Sequence, residues 1–310
     1  MTTMKAVRVY EYGGPEVLVY EDAPKPEPAA DEILVRVKAR GVNPIDWKIR
    51  EGQTKAWLNY QMPFIPGSEV AGVVEEVGSE ITKFKVGDEV FAYPGLMRGG
   101  SYADFAIIKE AETALKPKSL DFIHAVALVV GPLTAWQAFE LGSLQAGQKV
   151  LAHAAAGGVG SAAVQLAKIR GAYVIGTASA RNAEFVKDLG ADEVIDYTAT
   201  PFEEVVQNID LVFDLAGGLT QERSYSVLKK GGAMITAVHP PTPGRDAEYG
   251  VKTAMVVVQP NSAQLAQFAA WADEGRLKPV VSTVLPLNEA RQAQELSQTG
   301  HVRGKIVLQS

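Results

Sequence analysis

The spacing of apolar residues changes character near residue 125. Before it, short alternating stretches dominate. Over 33–40, Val35, Val37 and Ala39 fall on one face and Arg36, Lys38 and Arg40 on the other. That is the period-two pattern of a half-buried strand. Further strands are expected over 6–10, 69–77, 88–93 and 102–108, separated by turns such as Gly87-Asp88 and Gly99-Gly100, and together they read as a small β-barrel. Beyond residue 125, strand-length runs at 149–154, 172–177, 193–195, 209–214 and 233–238 alternate with helical segments near 160–170, 181–189, 219–228 and 261–274. Such alternation predicts an α/β domain with a parallel, doubly wound sheet. In the last of these helices Leu265, Phe268 and Ala272 recur at helical spacing behind Asn261 as N-cap. Strand-like 280–284 and 304–308 are expected to rejoin the first domain. The predicted division is therefore 1–124, completed by 276–310, and 125–275.

One turn in the second region carries chemistry. Residues 148–152 read as a buried strand and 162–170 as a helix, and between them lies Ala155-x-Gly157-x-x-Gly160. This is the dinucleotide-binding fingerprint of a Rossmann domain, with alanine in place of its first glycine. Gly157 lets the backbone approach a pyrophosphate that a Cβ would push away, and Gly160 lets helix and strand pack closely. Ala156, Gly157, Gly158 and Val159 then present backbone to phosphate at a helix N-terminus. At the end of the next strand, where an NAD-binding protein usually places a carboxylate for the ribose 2′-OH, the chain reads Thr177-Ala178-Ser179-Ala180-Arg181. A hydroxyl at Ser179 and a guanidinium at Arg181 suit a 2′-phosphate, so the expected cofactor is NADP(H).

Composition narrows the setting. The chain has 310 residues and a net charge of −6, which gives no electrostatic case for nucleic acid or an anionic membrane. Its longest apolar run, 125–130, is interrupted by Gly131-Pro132, so no membrane-spanning segment is expected. The N-terminus runs straight into a strand without a signal-peptide pattern, and a cytoplasmic location is the expectation. There are no cysteines, which removes disulfides, thiolate catalysis and cysteine-ligated metal.

The order of motifs resembles the medium-chain dehydrogenase/reductase superfamily, and within it the zinc-independent, zeta-crystallin-like quinone oxidoreductase branch. The resemblance covers essentially the whole chain. It rests on Gly41-Val-Asn43-Pro-Ile-Asp46, Pro66-Gly-Ser68-Glu69-Val-Ala-Gly72, Lys85-Val-Gly-Asp-Glu-Val90, Gly131-Pro-Leu-Thr134-Ala-Trp136, the glycine turn, Gly190-Ala-Asp-Glu-Val-Ile-Asp-Tyr197 and Arg303-Gly-Lys305. It implies a GroES-like β-barrel domain plus a Rossmann domain.

Departures from the family pattern decide the chemistry. Zinc-dependent members place a cysteine ligand where this chain has Asn43 and a histidine where it has Ser68, and they carry a four-cysteine lobe that is missing here. Catalytic zinc needs three protein donors, and Asn43, Ser68 and Glu69 supply one carboxylate, so no metal is expected. Without a Lewis acid, alcohol oxidation loses its alkoxide stabiliser, whereas NADPH can still reduce a polarised acceptor. The resemblance implies a quinone or an α,β-unsaturated carbonyl as substrate.

It also implies the site. Asn43 would lie by the nicotinamide, and Asp46 would orient that loop or assist a proton relay; these are the candidate catalytic residues. Thr134, opening its helix, would meet the cofactor's phosphate or amide. Tyr197 would stack on adenine or reach the 2′-phosphate. Leu215, Ala216, Ala237 and Val238, at the C-terminal edge of the sheet, would line ribose and nicotinamide, and Lys305 would reach the cofactor from the tail. Tyr60, Tyr93, Tyr102 and water remain open as proton donor. Two other readings stay open: an enoyl-thioester reductase of the same fold, and a non-enzymatic NADPH-binding protein. The β-prone 251–258 is expected at a sheet edge, and with it a homodimer through the nucleotide domain.

Overall fold

The structure is a computed structural model that describes residues 2–310. Contacts divide the chain into two units, the first running to Val130 and including Gln259–Gly275 and Pro279–Ser310, the second comprising Gly131–Val258 and Arg276–Lys278.

In the first unit, among the described residues, a seven-stranded sheet follows the order Val281–Pro286, Lys305–Gln309, Glu32–Val42, Val70–Val77, Glu89–Ala92 and Thr113–Leu115, with Phe105–Lys109 also paired to Glu32–Val42. A separate antiparallel pair joins Thr3–Val9 to Leu18–Pro24, a strand the apolar pattern does not announce. The alternation over 33–40 holds for Val35, Val37 and Ala39, all buried. Arg40 departs from it. At that end of the strand both faces are covered, and the fully buried guanidinium donates to the carbonyls of Ala103 (2.6 Å) and Ser101 (3.2 Å) and to Ser310 Oγ (2.9 Å). Burial pulls its pKa down to about 10.

Two registers bring distant sequence together. Lys305–Gln309 runs antiparallel to Glu32–Val42 with Ile306 opposite Val42, which sets Lys305 beside Asn43. Val70–Val77 pairs with the same strand with Ala71 opposite Ala39, which sets Glu69 beside Gly41.

The helix Ser262–Asp273 groups with the first unit, not with the nucleotide domain to which the division at 275 assigned it. It packs on Thr113–Leu115, and its last residue accepts from Ser119 N (2.8 Å) and Lys118 N (3.2 Å). Periodicity identifies a helix but not the sheet it covers. The first unit likewise extends to Val130 instead of ending at 124.

In the second unit, among the described residues, six parallel strands follow the order Glu193–Asp196, Tyr173–Ala178, Lys149–Ala152, Ile209–Asp214, Leu228–Thr236 and Lys252–Met255. The chain lays Tyr173–Ala178 on one side of Lys149–Ala152 and Ile209–Asp214 on the other. That reversal is the switch point where open α/β sheets bind ligands. Lys252–Met255 is an edge strand, as its apolar pattern predicts.

Phe122–Leu141 is 20 residues with mean hydropathy 1.5, long and apolar enough to cross a membrane by those criteria. Of its most apolar window, 72% is buried inside the protein, as in the core helix of a globular fold.

Candidate functional site

At Asn43 and Ser68, where the resemblance implies zinc ligands in zinc-dependent proteins, the chain holds a different constellation. Asn43 is the N-cap of the helix Pro44–Arg50, yet its side chain makes no capping bond. Instead its amide Nδ2 donates to Glu69 Oε2 at 2.8 Å, and its Oδ1 accepts from Lys305 Nζ at 2.7 Å. Lys305 closes the triangle on Glu69 Oε2 at 2.7 Å and Oε1 at 3.0 Å. Glu69 Oε1 also accepts the amide of Val130, at the start of the helix Val130–Leu141. All three side chains are buried. The arrangement depends on Gly41, because a Cβ there would overlap the Glu69 carboxylate and press on Lys305. Lys305, expected to reach the cofactor from the tail, is engaged inside the first unit by Glu69 and Asn43. Ser68 is 2% exposed, and its Oγ has no hydrogen-bond partner. Among the described residues no group of three or more His, Cys, Asp and Glu could hold a metal ion.

Asp46 sits three residues into this motif and is fully enclosed. Its Oδ2 accepts from Asn43 N (2.8 Å), the reciprocal half of a capping box, and from the Tyr102 hydroxyl (3.0 Å). Burial dominates and raises its carboxyl to about 7; Glu69 adds to the rise, and the two donors and Lys305 oppose it. The tyrosines left open as proton donors separate here. Tyr102 is 0% exposed, and burial followed by Asp46 pushes its hydroxyl well up. Burial also raises Tyr93, which is 1% exposed, and the partly buried Tyr60, whose hydroxyl donates to the Leu96 carbonyl. Tyr60, Asp46, Ser68 and Leu96 line one small cavity with Ile49 and Phe64.

In the second unit the glycine turn has the form the fingerprint predicts. Gly157 caps the helix Gly158–Ile169, whose first amides have no intrahelical acceptor. A Cβ at Gly160 would overlap the Ala154 carbonyl, so close packing requires glycine there. At Gly157 a Cβ would meet only that carbonyl at 3.4 Å, so the protein leaves room where a pyrophosphate belongs. Ala154 takes a left-handed φ of 48° to make the turn, and Ala156 is buried beneath it. The residues present therefore fit a dinucleotide. Thr134 does not open its helix: Val130–Leu141 starts a turn earlier, and Thr134 lies inside it, 6% exposed.

The adenosine end is assembled by strand register. Ala178 pairs with Asp196, so the strand ends that lead into Ser179 and Tyr197 lie side by side, and Tyr197 is 54% exposed. Arg181 is exposed. Asp196 turns its carboxylate to Thr198 N (3.0 Å) and Oγ1 (2.8 Å). Thr177 is buried and lies 3.1 Å from His153 Nδ1, whose other ring nitrogen lies 2.9 Å from Ser224 Oγ. Burial lowers that histidine to about 4, so it is a neutral core residue. On the other side of the switch point, buried Asp214 accepts from the amides of Ala216 (3.0 Å) and Gly217 (2.8 Å) and from Gln221 Nε2 (3.0 Å). Its own carbonyl accepts the Ala237 amide at 3.1 Å. Leu215, Ala216, Ala237 and Val238 thus form one shaped edge. Asp214 and Gln221 stand out in no sequence pattern, and the Glu69–Lys305 pair is not legible in the sequence because strand register creates it.

Two family descriptions match the chain: the alcohol dehydrogenase GroES-like domain over residues 29–118 and zinc-binding dehydrogenase over residues 189–308. The chain is 36% identical to the chloroplast envelope quinone oxidoreductase homolog of Arabidopsis thaliana, covering 99% of this chain and 98% of that protein. It is 37% identical to the chloroplastic NADPH-dependent alkenal/one oxidoreductase of the same plant, covering 98% of this chain and 79% of that one. The solved quinone oxidoreductase of Coxiella burnetii matches with a TM-score of 0.92 at 33% identity, over 100% of both chains. The chain belongs to the medium-chain dehydrogenase/reductase superfamily and is an oxidoreductase with a nicotinamide-cofactor domain.

Proposed function

We propose that the protein is a zinc-independent, NADPH-dependent reductase of quinones and α,β-unsaturated carbonyls. The observation that carries this reading is the Asn43–Glu69–Lys305 cluster, in which an amide stands at one zinc-ligand position of the resembled family and the Lys305 ammonium engages the neighbouring Glu69 carboxylate. Relatives named for quinone and alkenal/one reduction support it. Bound NADPH supplies the hydride. The chain's residues hold the pyrophosphate at Gly157–Val159, and Ser179, Arg181 and Tyr197 face the 2′-phosphate with hydroxyl, guanidinium and ring. The edge at Leu215–Ala216 and Ala237–Val238 shapes the nicotinamide side. Asp46, near neutrality in pKa, holds a proton in the first unit. A screen of NADPH oxidation over quinones, alkenals, enones and an enoyl thioester tests the reading. Turnover confined to the thioester would favour the enoyl-thioester alternative, and binding without turnover would favour a non-enzymatic one.

A homodimer paired through the edge strand Lys252–Met255 belongs to the same proposal, with Met255 (38%) and Val257 (60%) exposed there. Light scattering checks it, and a mass near one chain at micromolar concentration would reject the dimer while leaving the reductase intact.

A further inference from the structure

The charges around Asn43 determine which way its amide faces. An ammonium ion can only donate, and a carboxylate can only accept. With Lys305 Nζ at 2.7 Å and Glu69 Oε2 at 2.8 Å, the oxygen must face the lysine and the nitrogen the glutamate. A flipped amide would set NH₂ against ammonium and carbonyl against carboxylate, both repulsive in a buried setting. One N–H and one lone pair of the amide remain uncommitted by these bonds. The pair itself is held from outside: Glu69 by the Val130 amide at 2.6 Å, and the close approach of Glu69 to the strand by the missing Cβ of Gly41.

We propose that Glu69 and Lys305 are positioning residues: they lock the Asn43 amide so that its second N–H is a standing donor to the carbonyl oxygen of the acceptor. This rests on the reductase reading. As the acceptor takes the hydride at carbon, the electron pair of its C=C or C=O bond moves onto that oxygen. NADPH becomes NADP⁺, and a proton from water completes the two-electron reduction. A preoriented N–H stabilises the oxyanion without reorganisation, which is where such donors contribute most. The ion pair is thus more than a fold element. Removing one partner leaves a buried charge alone, whereas removing both leaves none.

That difference provides the experiment. Lys305→Met and Glu69→Gln, singly and together, are compared with the wild type by melting, by affinity for 2′,5′-ADP, by kcat with an enone, and by NMR of the Asn43 side-chain amide. Each single variant should lose about 5–10 °C in Tm. The double variant has no unpaired charge, and the amide oxygen introduced by Glu69→Gln can still accept from Val130 N, so it should regain most of that loss. Its affinity for 2′,5′-ADP should match the wild type, because the adenosine end lies wholly in the second unit. Its kcat should nevertheless stay about tenfold to a hundredfold low, with the Asn43 amide signal broadened or shifted. Recovery of kcat together with Tm, or an unchanged Asn43 signal in the double variant, would overturn the proposal and leave the pair a structural one. If wild type turns over no acceptor at all, the reductase reading fails by itself. The NMR arm then decides the lock alone, by loss or retention of amide order in the double variant.

Discussion

The Tyr102 hydroxyl donates to Asp46 Oδ2 at 3.0 Å, and neither residue is more than 2% exposed. Two donors on one carboxyl oxygen favour its charged form, yet burial wins and places the group at about 7 against an unfolded value of 3.8. The native state therefore holds a proton that the unfolded chain releases across that window. The resulting stability is fully present below the unfolded value and is lost as pH rises through the folded one. Asp46→Asn is neutral at every pH, and its carbonyl can accept both bonds. Its Tm minus that of the wild type should climb between about pH 4 and about pH 7. A flat or falling difference would contradict the assignment.

Gly41→Ala tests the close approach of Glu69. The added methyl cannot coexist with the carboxylate where it stands, so strand or ion pair must shift. Overpacking of this kind costs about 1–3 kcal/mol, a loss of several degrees in a thermal melt. An unchanged Tm would show that the cluster has slack.

Cofactor choice is read from the strand ends at Ser179, Arg181 and Tyr197. Arg181→Ala should raise KM for NADPH about tenfold to a hundredfold and leave NADH nearly untouched, since a charge-assisted contact is worth about 1.5–3 kcal/mol. Equal use of both cofactors by the wild-type enzyme would remove the basis for NADP(H).

Metal content follows from the donor set. With Glu69 paired to Lys305, and with Asn43 and Ser68 at the other ligand positions, purified protein should carry no stoichiometric zinc, and activity should survive prolonged chelation. One zinc per chain with activity lost on its removal would contradict this.

Sequence periodicity exposed the barrel strands, the parallel sheet and the glycine turn, because each depends on local spacing: period two over Val35–Ala39, and a fixed interval between Gly157 and Gly160. It did not expose what register creates. Lys305 meets Asn43 only because Ile306 pairs with Val42, a relation 262 residues long in sequence at the hydrogen bond itself. Ser262–Asp273 was legible as a helix, but its side chains carry no label for the sheet they cover. Arg40 looked like a solvent-facing residue because alternation assumes one wet face, and that strand end has none. Thr134, expected to open its helix, lies inside Val130–Leu141, because Pro132 falls in the first turn, where a missing N–H costs nothing.

The most direct test of the reductase reading follows the transferred atom. An enone is reduced with NADPH carrying deuterium at the nicotinamide C4 position used for transfer, and the product is examined by mass spectrometry and NMR. The account predicts one deuterium on the former β-carbon of the product, with NADPH consumed in equal amount. NADPH oxidation that leaves no carbon-bound deuterium in any enone product, or no reduction of enones and quinones by protein that binds NADPH, would contradict it.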